Sequence, residues 1–208
     1  MRKSLISLMF VLTSLTLTAQ SLGNLKKTSV NGGQFLFETS TGKVSITLMN
    51  ENIFRIRIVR NEFGPAFSYS VVAKPEATPF TREESGSMIR IRTSTTILEI
   101  NKNPLRLVFK SSDGKIISQD DPALGTLWSG TEVTTCKTLF PDEKFIGLGE
   151  KTGNLDRRGS HYWHWNTDNP HHNNNSDPLY SSIPFYIGLH SGGRSEEHTS
   201  ELQSRQVI

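Results

Sequence analysis

The stretch Phe145–Leu189, FIGLGEKTGNLDRRGSHYWHWNTDNPHHNNNSDPLYSSIPFYIGL, carries the most information about fold and function in this chain. It combines glycines, paired arginines, aromatic residues and short polar side chains, which is unusual for a plain core strand. Its two apolar ends, 145–148 and 182–189, predict strands, with Pro184 near a strand start or at an edge. The long irregular segment between them predicts an ordered functional loop that meets a small polar ligand.

Upstream of this stretch, residues 34–140 alternate apolar and polar side chains with a period of two, which predicts short, half-buried strands. Turn-forming residues separate the runs, and no window carries the apolar stripe of an amphipathic helix. We therefore predict an all-β fold, an antiparallel β-sandwich. The polar positions of these runs, including Arg106 and the arginines of 54–60 and 88–92, are expected to face solvent. The apolar positions include Val44, Ile46, Leu48, Phe54, Ile56, Ile58, Ile89, Ile91, Leu105, Leu107 and Phe109.

Length and charge exclude some classes of function. The 208 residues are enough for one domain or a domain and a half, and the net charge of +3 is too small to indicate a nucleic-acid partner. Cys136 is the single cysteine, so no intramolecular disulfide can form. Because Cys136 lies in an apparent strand, we interpret it as a small buried apolar residue and not as a nucleophile.

The N-terminus has the pattern of an export signal. Arg2 and Lys3 precede an apolar run, Leu5–Leu17, and the small residue Ala19 marks the expected cleavage site. A membrane anchor is the rival interpretation, but the run is well short of the roughly 20 residues that span a bilayer. We therefore expect cleavage after Ala19 and a periplasmic, cell-surface or secreted protein with no membrane span.

The C-terminal residues 194–208, RSEEHTSELQSRQVI, differ from the rest of the chain. They show no strand alternation and no strong helix pattern, and they look like the in-frame translation of a sequencing adapter. The alternative is a natural disordered tail. The predicted organisation is thus a signal peptide at 1–19, a β-sandwich domain at 20–193 with a substrate-side loop at 150–182, and a non-native tail at 194–208.

Two chemical interpretations of the 145–189 stretch are set aside. Gly147-Leu148-Gly149 lacks the third glycine and the following helix of a dinucleotide fingerprint, and Glu150 would repel phosphate. Histidines and aspartates could suggest a metal site, but no known ligand spacing is present, so we expect solvated loop histidines and no metal. The residues considered for that metal site are His161, His164, His171, His172, Asp168 and Asp177.

Carbohydrate is the ligand that this stretch fits best. Tyr162, Trp163 and Trp165 alternate with His164, so at least one aromatic face can be presented beside Asp168. The Asp168 carboxylate can accept two sugar hydroxyls through charge-assisted hydrogen bonds. The alternative is that both tryptophans belong to the core. Arg157 and Arg158 either pair with neighbouring carboxylates, Asp156 or Glu150, or act as structural clamps of the loop.

Three motifs in order, G-L-G-E-K-T-G-x-L-D-R-R-G, W-N-T-D and D-P-L-Y-x-S-I-P-F-x-I-G-L, resemble the N-terminal region of family 31 glycoside hydrolases, the α-glucosidase and α-xylosidase group. The resemblance implies a galactose mutarotase-like β-sandwich that precedes a catalytic (β/α)8 barrel. It implies a retaining α-glycosidase that needs no cofactor and has both catalytic aspartates in the barrel. It also implies that Asp168, the aspartate of W-N-T-D, contributes to the substrate pocket, with Trp165 beside it.

The resemblance stops before the barrel, so we predict no catalytic residue in this chain. The predicted function is that of the N-terminal fragment of an exported α-glycosidase acting on terminal α-linked glucosides or related sugars, inactive alone. Its expected partners are the missing barrel and an oligosaccharide or α-glycoside substrate. The alternatives are a stand-alone carbohydrate-binding module and a purely structural sandwich that braces a partner domain.

The export signal gives a testable expectation. Expression of the chain in a bacterial host with a general secretory pathway should release a protein that begins at Gln20, because the small Ala19 ends the apolar segment. Mass spectrometry of the N-terminal peptide of the exported protein checks the cleavage site. A peptide that retains Leu5–Leu17 would show an anchor instead.

Overall fold

The computed structural model describes residues 19–68, 71–198 and 205–207, with His198 and 205–207 described by their backbone alone. The apolar segment of the predicted export signal lies outside these ranges. The described residues form strands, turns and loops without a helix, and so offer no helix that could cross a membrane. The strands are β1 (Gln20–Ser21), β2 (Leu25–Asn31), β3 (Gln34–Thr39), β4 (Lys43–Leu48), β5 (Phe54–Val59), β6 (Thr81–Glu84), β7 (Met88–Arg92), β8 (Thr96–Lys102), β9 (Leu105–Ser111), β10 (Ile116–Gln119), β11 (Thr126–Ser129), β12 (Glu132–Thr135), β13 (Lys144–Gly149), β14 (His161–Trp163), β15 (Ser182–His190), β16 (Gly193–His198) and β17 (Arg205–Val207).

Two antiparallel sheets form the body of the fold. The four-stranded sheet has the order β2-β3-β4-β5, and the five-stranded sheet has the order β10-β9-β8-β7-β6. Both contribute to one apolar core, and edge-to-face ring pairs, such as Phe35 with Phe80 at 5.3 Å and Phe54 with Phe109 at 5.4 Å, lie at that core. The predicted all-β sandwich is therefore confirmed. The buried core residues are Leu22, Phe35, Phe37, Val44, Ile46, Leu48, Ile89, Ile91, Leu98, Ile100, Leu105, Leu107 and Trp128.

The strands bury most of the residues that the period-two pattern selects, although Phe54, Ile56, Ile58 and Phe109 are only partly buried. Two polar positions are buried against the pattern, Ser45 and Arg106. Arg106 was expected to face solvent, but it is buried. Its guanidinium donates hydrogen bonds to the carbonyl oxygens of Leu105 at 2.8 Å, Asp121 at 3.0 Å and Ala123 at 3.0 Å. The turn after β10 covers this position, and five fixed donors allow an arginine to satisfy several carbonyls at once. Arg90 follows the expectation and pairs with Glu99 at 2.9 Å on a partly exposed face.

A separate three-stranded sheet with the order β13-β15-β16 carries the 145–189 stretch. Its first two strands match the two predicted apolar ends. Pro184 lies near the start of β15, beyond the last residue that pairs with β16, where a missing N–H costs no ladder bond. The third strand, β16, belongs to the segment predicted as a non-native tail, so a strand is found where the sequence showed no alternation. The non-native origin of 194–208 stays a prediction.

Backbone contact between β13 and β15 explains the glycines of G-L-G. The ladder shifts register between Gly147 and Gly149, and Gly147, Leu148 and Gly149 all have positive φ, at 127°, 72° and 77°. A Cβ at Gly149 would lie 2.4 Å from the Ser181 carbonyl oxygen. Close packing against a neighbouring strand, and not phosphate binding, therefore requires these glycines.

Two glycine substitutions separate packing from backbone strain. Gly153 has φ +83°, and a Cβ added there would meet no atom within 4 Å, so Gly153→Ala should cost about 1 kcal/mol of unfolding free energy from the left-handed backbone alone. Gly149→Ala adds the clash with β15 and should cost ~3 kcal/mol or more. Urea denaturation measures both. Equal losses would show that β13 and β15 can separate without penalty.

Candidate functional site

The loop between β13 and β15 is an ordered structure held by hydrogen bonds across its own base. The Glu150 amide donates to the Ser181 carbonyl oxygen at 2.7 Å, and the Thr167 amide donates to the Leu179 carbonyl oxygen at 2.9 Å. The Thr152 hydroxyl donates to the Ser176 carbonyl oxygen at 2.9 Å. Hydrogen bonds thus join the outgoing and returning halves of the loop at several positions along its length.

Lys151 is the centre of this loop. Its side chain is 0% exposed, and its ammonium donates to the Trp163 carbonyl oxygen at 2.6 Å, the Asp177 carboxylate at 2.9 Å and the Ser182 hydroxyl at 3.1 Å. The other Asp177 oxygen accepts the Trp163 amide at 2.6 Å. A buried ammonium is tolerated only when it is paired and its three donors are satisfied, and both conditions hold here.

A small apolar cluster lies under the loop. Phe145, Leu148 and Tyr162 are buried together, and Tyr186 packs against them. Two cations flank the Tyr162 ring, with the Lys151 ammonium 5.9 Å and the Arg157 guanidinium 5.5 Å from its centre. Cation–π attraction therefore adds to the hydrogen bond from Lys151 to Trp163 that holds β14 against the loop.

The paired arginines act as structural clamps and do not pair with carboxylates. Arg157 donates to the carbonyl oxygens of Asn154 at 2.7 Å and Thr152 at 2.9 Å. Arg158 donates to the carbonyl oxygens of Phe140 at 2.6 Å and Glu143 at 2.7 Å. Asp156, one of the suggested carboxylate partners, instead accepts main-chain amides. The structural alternative for the two arginines is therefore confirmed.

Side chains alternate along residues 162–165. Tyr162 and His164 point inward and are buried, whereas Trp163 and Trp165 are 47% and 51% exposed. Core burial of the two tryptophans is therefore wrong. His164 is also not a solvated loop histidine as predicted, because the alternation puts its ring on the side of Tyr162, where it is 1% exposed.

Asp168 lies on the outside of the loop. Its side chain is exposed, and no hydrogen bond or ion pair of the described residues involves its carboxylate. Nearby main-chain anchors hold the segment: Thr167 bonds Leu179, and the Asn166 side chain accepts the Ser182 amide at 2.8 Å. Trp165 and Asp168 are thus presented to solvent from a fixed backbone. Tyr180 and Ile183 are exposed on the returning half of the loop.

Other candidate reactive groups do not form a centre in the described part of the chain. It contains no group of three or more histidine, cysteine, aspartate or glutamate side chains that could hold a metal ion. His161, His171 and His172 are exposed. Cys136 follows β12 and is half-buried, and burial together with the Asp121 charge raises the pKa of its thiol, which opposes formation of a nucleophilic thiolate.

A sequence profile of the glycosyl hydrolase 31 N-terminal galactose mutarotase-like domain matches residues 43–195. The chain belongs to this family. The family resemblance inferred from the three motifs is therefore confirmed.

Among curated relatives of this family 31 domain, α-glucosidase 2 of Bacillus thermoamyloliquefaciens is 31% identical over 176 residues, which are 82% of this chain and 22% of the relative. The α-xylosidase XylQ of Lactiplantibacillus pentosus is 27% identical over 187 residues, 82% of this chain and 23% of the relative. The chain thus spans between a fifth and a quarter of the length of these enzymes.

Solved structures agree with this assignment. A family 31 dextranase of Flavobacterium johnsoniae, solved as a mutant complexed with isomaltotriose, superposes with a TM-score of 0.77 at 33% identity over 81% of this chain and 21% of the dextranase. The cycloalternan-forming enzyme of Listeria monocytogenes superposes with a TM-score of 0.70 at 17% identity, over 82% of this chain and 17% of that enzyme, and shows the fold alone.

Sequence reasoning on this family 31 domain found the exposed residues of the loop and missed the residues that hold it. Lys151 and Ser182 were not singled out, and Asp177 was considered only as a metal ligand, although each stands inside a motif that carried the resemblance. Lys151 stands two residues after the end of β13, where a lysine is expected to face solvent, so the local sequence gave no sign of its buried position. Only the fold brings Asp177, 26 positions later, against that lysine.

Asp156 gives a pH-dependent test of the loop base. Amides of Phe145 at 3.0 Å and Arg158 at 3.1 Å donate to one of its oxygens, and these hydrogen bonds lower the pKa of the carboxyl group. A lowered folded-state pKa contributes stability above the unfolded-state pKa, about 3.9, and this contribution is lost as pH falls through the folded-state value. Urea denaturation should therefore give Asp156→Asn a lower free energy of unfolding than the wild type at pH 6. The difference between the two free energies should shrink as the pH is lowered toward 2.5. A difference that is constant with pH would contradict this assignment.

Proposed function

We propose that this chain is the N-terminal sandwich of an exported retaining α-glycosidase acting on terminal α-linked glucosides or related sugars. In this proposal the sandwich supports a catalytic barrel, and the 150–182 loop lends a surface to the substrate pocket. The observation that carries the proposal is the similarity, at 33% identity and a TM-score of 0.77, to the corresponding part of a dextranase solved with isomaltotriose. Export after cleavage near Ala19 is part of the same proposal and rests on the N-terminal sequence.

The exposed groups of the loop have the chemistry that a sugar needs. The Asp168 carboxylate is exposed and can accept two hydroxyl groups, and hydrogen bonds to a charged acceptor are about twice as strong as neutral ones. The half-exposed Trp165 ring offers an apolar face for the C–H surface of a sugar ring. Both residues are held by a backbone that is already ordered, which lowers the entropy lost on binding.

The proposal assigns catalysis to the barrel and none to this chain. Retaining glycosidases use two carboxyl groups about 5–5.5 Å apart, one of which has a raised pKa and acts as the acid. Near the loop, main-chain donors instead lower the pKa of Asp142 and Asp156. A barrel takes about 250 residues of alternating strand and helix, and the described residues here contain no helix. The 208-residue chain should therefore give no turnover of an aryl α-glucoside above a blank.

The pocket role is tested in the complete enzyme that contains this domain. Asp168→Ala should lower kcat/KM for an α-glucoside by roughly 10- to 100-fold, the effect of losing hydrogen bonds to a charged group. Asp113→Ala, in the turn between β9 and β10, is the matched control and should leave kcat/KM unchanged. Unchanged kcat/KM for Asp168→Ala would refute the pocket role. Tight oligosaccharide binding by the 208-residue chain alone would favour the stand-alone binding module instead.

A further inference from the structure

The contacts of Lys151 converge on one residue of the exposed surface. The ammonium donates to the Trp163 carbonyl oxygen at 2.6 Å, while Asp177, its ion-pair partner, accepts the Trp163 amide at 2.6 Å. The buried pair therefore fixes the Trp163 peptide groups on both sides of its Cα. Trp163 itself is half exposed.

Ser182 extends the same arrangement to Trp165. Its hydroxyl accepts from the Lys151 ammonium at 3.1 Å and lies 3.3 Å from the Trp163 carbonyl oxygen and 3.4 Å from the Trp165 carbonyl oxygen. Its amide donates to the Asn166 side chain at 2.8 Å. The start of β15 is thereby attached to the segment that carries both exposed indoles.

Burial makes these contacts depend on one another. The Lys151 side chain is completely shielded from solvent, so an ammonium that loses one of its acceptors finds no water to replace it. Its three acceptors come from three separate segments, around residues 163, 177 and 182. The ammonium is satisfied only when all three segments are in place, so the segments should order together.

We propose that Lys151 and Asp177 are positioning residues that set the orientation of the exposed surface formed by Trp163 and Trp165. They do this through the Trp163 backbone, without touching a ligand themselves. The proposal rests on the proposed function in one respect, because it takes that surface to be the one offered to an α-linked sugar. The positioning itself is measurable without any ligand.

Fluorine NMR of the 208-residue chain labelled with 5-fluorotryptophan tests the positioning directly. The chain has three tryptophans, and Trp128 in the main core serves as an internal reference. Lys151→Met should shift or broaden the resonances of Trp163 and Trp165 and leave that of Trp128 unchanged. Lys144→Met, which removes an exposed lysine from β13, the strand that precedes Lys151, is the matched control and should change none of the three.

Variants of Asp177 test whether the tryptophan resonances respond to the buried charge pair or only to the loss of side-chain volume at Lys151. Asp177→Asn keeps the shape of the side chain but leaves the Lys151 charge buried without a counter-charge. The double variant Lys151→Met/Asp177→Asn removes both charges, so its tryptophan spectrum should lie closer to that of the wild type than the spectrum of Asp177→Asn does. A double variant whose spectrum departs further than that of Asp177→Asn would overturn the proposal.

Two further measurements test the proposed positioning role of Lys151. Unchanged Trp163 and Trp165 resonances in Lys151→Met, or an equal change at Trp128, would overturn the proposal, the latter because Lys151 would then support the fold as a whole. In the complete enzyme, Lys151→Met should raise KM for an α-glucoside. If the two loop resonances move but KM does not, the positioning stands and the proposed pocket role fails.

Discussion

The inner faces of the four-stranded and five-stranded sheets carry apolar side chains that can leave water only by packing against each other. This mutual burial determines which face of β3, β4, β7, β8 and β9 points inward and so fixes the register of these five strands. The shorter sheet that contains β13 and β15 has far less apolar surface to bury. Its cluster consists of Phe145, Leu148 and Tyr162, with Tyr186 alongside.

Polar interactions therefore hold the loop beyond that sheet, whereas apolar burial holds the sandwich. Arg157 and Arg158 bind carbonyl oxygens, and the ammonium of Lys151 joins three segments. Polar contacts are directional, whereas apolar burial is not, so a polar framework specifies the position of a surface more narrowly than an apolar core of this size could. A surface that must meet a ligand with fixed geometry gains from this kind of framework.

The parts of this structure that follow a local rule were predictable from the sequence, and the parts that depend on distant residues were not. Alternation identified the buried face of β7 because strand geometry imposes a period of two. The same rule failed at Arg106, since the turn that supplies its carbonyl acceptors lies about fifteen residues further along the chain. It also failed to reveal Lys151 and Asp177, whose contact exists only after β13 and β15 have paired.

The alternation of residues 162–165 restricts how this loop can diverge. Tyr162 and His164 face inward and the two indoles face outward, so inserting or deleting one residue ahead of Tyr162 would exchange the two sets. Indole rings would then have to fit beside Lys151, and a histidine would replace an aromatic face at the surface. Substitutions of the outward residues carry no such penalty. Over evolutionary time, relatives of this domain should therefore vary in which rings they display here while keeping the length of the segment constant.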